Sequence, residues 1–249
     1  MINQNIIILG LQCTGSTYIV QSMRETIGHY YITVTPKTEE VYYNRYKLLS
    51  TKSNWYTNLH LPIEYQQFLK AFEFNESVWT ILLIRKDFLD IYLTWLIREH
   101  TNHTYIHMRS YSEKEILNWK KELLLSKEVI HTKEILLNWK NDLVAFFTTL
   151  KNWPLPMDNI VIYESLLGDY SLHDHKLMLK GLDIDDNILL ERMKNCENEN
   201  TVLKMWRNRE EKLNIVYNLD KLYNDFESVR NQFKLDENYH FDLNIYNSS

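Results

Sequence analysis

Ile6-Ile7-Ile8-Leu9-Gly10-Leu11-Gln12-Cys13-Thr14-Gly15-Ser16-Thr17 is the stretch that decides the fold. Four consecutive large aliphatic residues without polar alternation predict a strand buried on both faces, the pattern of a parallel sheet covered by helices on each side. Ser16 is placed to cap a helix whose apolar positions Ile19, Val20, Met23 and Ile27 keep helical spacing, with Gly28 at its end. Strand, Gly-containing loop and helix come in that order.

Working outward, 30–35 alternates as a second strand, and Pro62 precedes a helical pattern over 63–74. Residues 78–84 form another buried strand, ended by Arg85, Lys86 and Asp87, with a helix predicted over 88–99. Ser112 and Glu115 make a capping box ahead of a long helical region. That region runs to Lys151 with a break near His131-Thr132, and Trp153-Pro154-Leu155-Pro156 stops it. A final strand over 159–163 is followed by helical segments at 172–180, 187–195 and 207–233. Strands alternating with helices predict an α/β fold of three layers, a central parallel sheet flanked by helices, with a helix-rich C-terminal half. No linker is long or Gly/Pro-rich enough to divide residues 1–249, so a single domain is expected.

Composition narrows the function classes. A chain of 249 residues with 45% hydrophobic side chains is able to bury a full core. Its formal net charge of -5 argues against a general nucleic-acid binder, which needs a basic surplus against phosphates. Cys13 and Cys196 are too few for a disulfide framework, and no charged-then-apolar leader opens the chain, so a cytoplasmic protein is expected. The apolar runs 6–11 and 81–84 fall far short of the roughly 20 residues a membrane span needs. No clustered His/Cys/Asp pattern suggests a metal, and a monomer or homodimer is expected.

The segment from Gly10 to Thr17 would direct backbone N–H groups and hydroxyls at an anion on the positive end of a helix. A turn with an N-cap would read the same way. The segment lacks the Lys that a nucleotide-kinase P-loop carries before its Ser or Thr, and it lacks the dinucleotide spacing. It resembles the phosphosulfate-binding loop of the sulfotransferases that use 3′-phosphoadenosine 5′-phosphosulfate (PAPS), a P-loop-like α/β family. Thr14, Gly15, Ser16 and Thr17 match that loop, Cys13 stands where the family has a basic residue, and Tyr18 stands where it often has a Trp near adenine.

Further resemblances follow in the family's order. Arg85 with Thr94 nine residues on is similar to the Arg and Ser that hold the 3′-phosphate in the family. The chemistry suits a bidentate guanidinium at a strand end and a hydroxyl on the next helix. His60-Leu61-Pro62 resembles the segment whose His is the general base, with Asn58 and Leu59 in place of the family's Lys and Thr. Tyr163-Glu164 resembles the late strand end whose Tyr borders adenine, and Arg207 or Arg209 lies where a basic C-terminal segment covers the 3′-phosphate.

The resemblance implies transfer of a sulfuryl group from PAPS, leaving 3′-phosphoadenosine 5′-phosphate (PAP), to a hydroxyl or amine of a small-molecule or carbohydrate acceptor, without a metal. Cys13 keeps open a nucleotide-binding module of the same fold with weak or no transfer, unless another cation, such as Lys37, compensates. A P-loop nucleotide kinase is the third reading. Acceptor choice is expected to belong to variable segments, here 37–56 and 101–112.

Overall fold

The computed structural model describes residues 5–11, 30–31, 39–52, 55–73, 78–101, 112–126, 129–164, 191 and 209–235. The chain divides into two compact units, Met1–Lys86 with Leu143–Lys194 and Asp242–Ser249, and Asp87–Asp142 with Asn195–Phe241.

The first unit is built on a five-stranded sheet of β1 (Asn5–Gly10), β2 (Tyr30–Tyr31), β3 (Trp55–His60), β4 (Val78–Ile84) and β5 (Asn159–Ile162). Every pairing is parallel and the order is β2-β3-β1-β4-β5, which is an α/β architecture. Ile6 to Leu9, on a strand with a neighbour on each side, are fully buried, as the unbroken aliphatic run predicts. The chain leaves β1 toward β2, returns to β3 and then passes to β4 on the opposite side of β1. That reversal makes the carboxyl end of β1 the topological switch point, where open α/β sheets hold their ligands. At the entry to β5, the Thr80 N–H donates to Asp158 Oδ2 at 2.6 Å and the Asp158 N–H donates to the Thr80 carbonyl at 3.0 Å.

Helix α1 (Glu39–Leu49) packs on α2 (Tyr65–Ala71). Phe68 is the hub, edge-on to Tyr46 at 5.2 Å between ring centroids and stacked on Phe72 at 4.9 Å and Trp153 at 5.1 Å. The segment 37–56, one of the two expected to choose the acceptor, is regular over most of its described residues. Residues 39–49 are helical, with Tyr42, Arg45, Tyr46 and Leu49 forming a buried stripe at helical spacing, and 55–60 is an interior strand. Of the strand expected over 30–35, Tyr30–Tyr31 pairs with β3, and 32–38 lies outside the described residues.

The second unit is helical in its described residues. It contains α3 (Phe88–Thr101), α4 (Glu113–Ser126), α6 (Arg209–Ile215), α7 (Leu219–Gln232) and the first part of α5 (Lys133–Lys151), whose residues from Leu143 onward belong to the first unit. The expected capping box opens α4: the Ser112 N–H donates to Glu115 Oε2 at 2.6 Å, and the Glu115 N–H to Ser112 Oγ at 3.4 Å. The expected break at His131-Thr132 separates α4 from α5. The helical segment expected over 207–233 is interrupted at Val216, which forms a parallel bridge with Val129. Tyr92, Trp139 and Phe226 meet in the core, with Tyr92 5.3 Å from Trp139 and 6.1 Å from Phe226. Lys212 is buried against Asp90 at 2.6 Å. The helical segments expected at 172–180 and 187–195 lie outside the described residues, Glu191 excepted. No helix among the described residues is long and apolar enough to cross a membrane.

Candidate functional site

A parallel sheet puts all its carboxyl ends on one side, and the register fixes which residues meet there. Gly10 stands opposite His60 on β3 and Leu83 on β4, and Ile84 stands opposite Ile162 on β5. The Leu61 N–H extends the ladder by donating to the Gly10 carbonyl at 3.1 Å. The mouth of the Gly10 loop, His60, Arg85 and Tyr163 therefore share one sheet edge. Cys13, Thr14, Gly15, Ser16, Thr17 and Tyr18 of that loop, with Lys37 and Arg207, lie outside the described residues.

Arg85 follows β4 and Tyr163 follows β5, and the Arg85 guanidinium lies 4.6 Å from the centre of the Tyr163 ring. Such stacking fixes the plane of the fork without using its N–H donors. Glu164 stands beside it, with Oε1 3.7 Å from Arg85 Nε. Its two carboxylate oxygens also accept the Lys86 N–H, at 3.1 and 3.2 Å. The cation that sequence reasoning assigned to a phosphate thus already faces a carboxylate, and an anionic ligand on Arg85 must share it with Glu164 or displace it.

His60, the candidate base, belongs to a denser network. Its Nδ1 lies 3.2 Å from Glu64 Oε1, and its Nε2 lies 3.2 Å from Asn58 Nδ2. Glu64 Oε2 receives Arg45 Nη1 at 3.3 Å and the Tyr46 hydroxyl. Arg45 Nη2 also donates to the Asn58 carbonyl at 2.8 Å and to Thr57 Oγ1. Burial pushes the Glu64 carboxyl up, but the His60 hydrogen bond, the Arg45 charge and the Tyr46 hydroxyl outweigh it and hold Glu64 below the usual range. An ionised carboxylate only accepts, so its contact with His60 calls for a hydrogen on Nδ1, and a neutral ring with that hydrogen would present Nε2 to the Asn58 amide as an acceptor. Tyr42 and Tyr46, on the same face of α1, are both pushed well above the usual tyrosine value, first by burial.

Thr94 and Arg209 fall in the second unit. The Thr94 hydroxyl donates to the Asp90 carbonyl one turn back on α3 at 2.8 Å, and Arg209, the first residue of α6, pairs with Asp87 at 2.9 Å. Sequence reasoning missed Arg45, Tyr46 and Glu64. Two signals were available: Glu64 follows His60 by four residues across a helix start, and Arg45 interrupts an otherwise apolar helical stripe. Among the described residues no group of His, Cys, Asp and Glu is placed to hold a metal ion. Comparison of the chain with protein-family models, with curated proteins and with solved structures finds no match.

Proposed function

We propose that the chain is a PAPS-dependent sulfotransferase of the P-loop-like, three-layer α/β type, acting on a hydroxyl or amine of a small-molecule or carbohydrate acceptor. One observation carries the reading. Stretches far apart in sequence that resemble the family's motifs, at Gly10, His60, Arg85 and Tyr163, come to one carboxyl edge of a single parallel sheet, beside its switch point.

The residues at this edge fit an anionic nucleotide. Arg85 offers a planar fork for a phosphate and Tyr163 an aromatic surface, and the sequence that follows Gly10 carries the hydroxyls of Thr14, Ser16 and Thr17. PAPS bound there supplies an activated sulfuryl group, whose bond to the bridging oxygen breaks as the acceptor oxygen or nitrogen bonds to sulfur, the electron pair leaving with PAP. His60 takes the acceptor's proton on Nε2, the nitrogen that its bond to Glu64 leaves unprotonated, after the Asn58 amide gives way. Positioning and electrostatics supply the rest of the catalysis.

A nucleotide-binding module without efficient transfer is the second reading. It draws on Cys13 in place of the basic loop residue and on Glu164 beside Arg85. Calorimetric titration with PAP, with its analogue lacking the 3′-phosphate and with ATP tests both. The sulfotransferase reading expects PAP to bind, affinity to depend on the 3′-phosphate, and Arg85→Ala to weaken binding roughly tenfold or more, the scale of a charge-assisted hydrogen bond. Equal affinity for ATP, or no binding of PAP, would refute it. PAP binding without turnover on phenols, amines, alcohols and sugars would select the binding module.

A further inference from the structure

Two opposite charges lie in the interior of the first unit, Arg45 with 4% of its side chain exposed and Glu64 with 2%. A buried ion pair adds little stability over well-packed apolar residues of the same size, because desolvation offsets the attraction. A pair of this kind calls for a role beyond holding the fold together.

Glu64 also has no task in its own helix. It is the N-cap residue of α2, but its backbone is already in the helical region and its side chain makes no capping bond. Instead its two oxygens are divided, Oε1 facing His60 Nδ1 and Oε2 facing Arg45 and Tyr46.

We infer that Glu64 is a positioning residue for His60, and that Arg45 is the counter-charge that keeps Glu64 an ionised acceptor, so that Nδ1 holds the hydrogen and Nε2 keeps a basic lone pair at the sheet edge. The charges fix this direction. A neutral Glu64 would donate its own proton to Nδ1 and move the imidazole hydrogen to Nε2, ending its service as a base. Arg45, 3.3 Å from the carboxylate and tied to the Asn58 carbonyl and Thr57 on β3, prevents that. Among the described residues the groups around His60 are Glu64 at the start of α2, Arg45, Tyr42 and Tyr46 from α1, and Thr57 and Asn58 on its own strand. The inference rests on reading His60 as the base, and it extends that role to two residues that no sequence motif marked.

The test is nitrogen NMR of protein labelled with 15N-histidine, at about pH 8, where an ordinary imidazole is neutral. His60 is assigned by its loss in His60→Gln. Native protein should show Nδ1 as the protonated nitrogen and Nε2 as the bare one. Asn58→Ala, which removes the amide from Nε2, should keep this assignment, and adding Arg45→Met and Glu64→Leu, which removes both charges together, should move the hydrogen to Nε2, the nitrogen a free imidazole mainly protonates. A native His60 carrying its hydrogen on Nε2 would overturn the inference without any variant. So would an Asn58→Ala variant that loses the Nδ1 assignment, or a triple variant, folded by circular dichroism, that keeps it. No nucleotide or acceptor enters this measurement, so its failure leaves PAP binding standing, and failure of PAP binding leaves the tautomer standing.

Discussion

Arg45→Met should be among the most damaging single changes in the first unit. The substitution keeps the length of an aliphatic stem on the buried face of α1 and removes one charge. It deletes the contact to Glu64 at 3.3 Å, the bond to the Asn58 carbonyl at 2.8 Å and the bond to Thr57, and it leaves a carboxylate that is 2% exposed without its cation. Breaking a buried pair by removing one partner costs about 3–5 kcal/mol. Glu64 keeps His60 and Tyr46 as donors, so the lower end, about 3 kcal/mol, is expected. Arg45→Met/Glu64→Gln has no unpaired charge, with the amide oxygen able to accept from His60 and the amide nitrogen able to donate to the Tyr46 hydroxyl oxygen, so it should return to within about 1 kcal/mol of native protein. Urea titrations followed by circular dichroism measure both. The pH dependence carries a sign. The Glu64 carboxyl sits below its ordinary value of 4.5, so its contribution is complete above that value and is lost as pH falls through the lower folded-state value. Arg45→Met removes one cause of the lowering, so acid loss should begin at higher pH than in native protein. A single variant within about 1 kcal/mol of native, or a double variant no more stable than the single, would refute the argument.

Two other perturbations probe different parts of the chain. Glu164→Gln should tighten PAP binding by up to about fivefold, since a carboxylate 35% exposed and 3.7 Å from Arg85 competes for it with a screened energy of up to about 1 kcal/mol. Calorimetry reads the change, and weaker binding would show that Glu164 orients Arg85 rather than competing with the phosphate. In the second unit, His131 is fully buried, with Nδ1 2.7 Å from the Tyr92 hydroxyl, Nε2 3.0 Å from Asp225, and its peptide N–H on Asn218. Burial, the largest cause, with Lys221 nearby, lowers its affinity for a proton below the usual 6.5 despite Asp225. The unfolded chain therefore binds more protons just below that value, and stability should fall as pH drops from 6.5 toward the folded-state value. His131→Gln should flatten that slope in urea titrations between about pH 5 and 7, and an unchanged slope would mean that another group sets it.

The elements that sequence reading placed well are those whose local signals have one interpretation. The aliphatic runs of β1 and β4, the Ser112–Glu115 box, and the break at His131-Thr132 before α5 are each determined within a few residues. β3 was not legible. Trp55-Tyr56-Thr57-Asn58-Leu59-His60 has three polar residues in six, which reads as loop or edge, yet it lies between β2 and β1 with Thr57 fully buried. That polarity is tolerated because Arg45, from another element, hydrogen-bonds to Thr57 and to the Asn58 carbonyl. In the same way α1 was hidden by its tyrosines and charges, which resemble loop composition until they are counted at helical spacing.

The candidate site was legible one motif at a time, and the register of a parallel sheet does the joining. His60, Arg85 and Tyr163 lie dozens of residues apart, and their common edge follows once β1, β3, β4 and β5 are known to run the same way. The state of His60 was not legible, because it depends on a longer chain of causes. Its hydrogen is placed by Glu64, four residues on, but whether Glu64 is ionised depends on Arg45, nineteen residues before Glu64 and on a different helix. A motif centred on His60-Leu61-Pro62 cannot carry that information. Arg45 can, because a guanidinium on an apolar helical stripe is too costly to bury unless an acid receives it. An acid able to do so must itself be buried nearby, and Glu64, at the start of the helix that packs on α1, meets that condition while touching the only histidine on the described sheet edge.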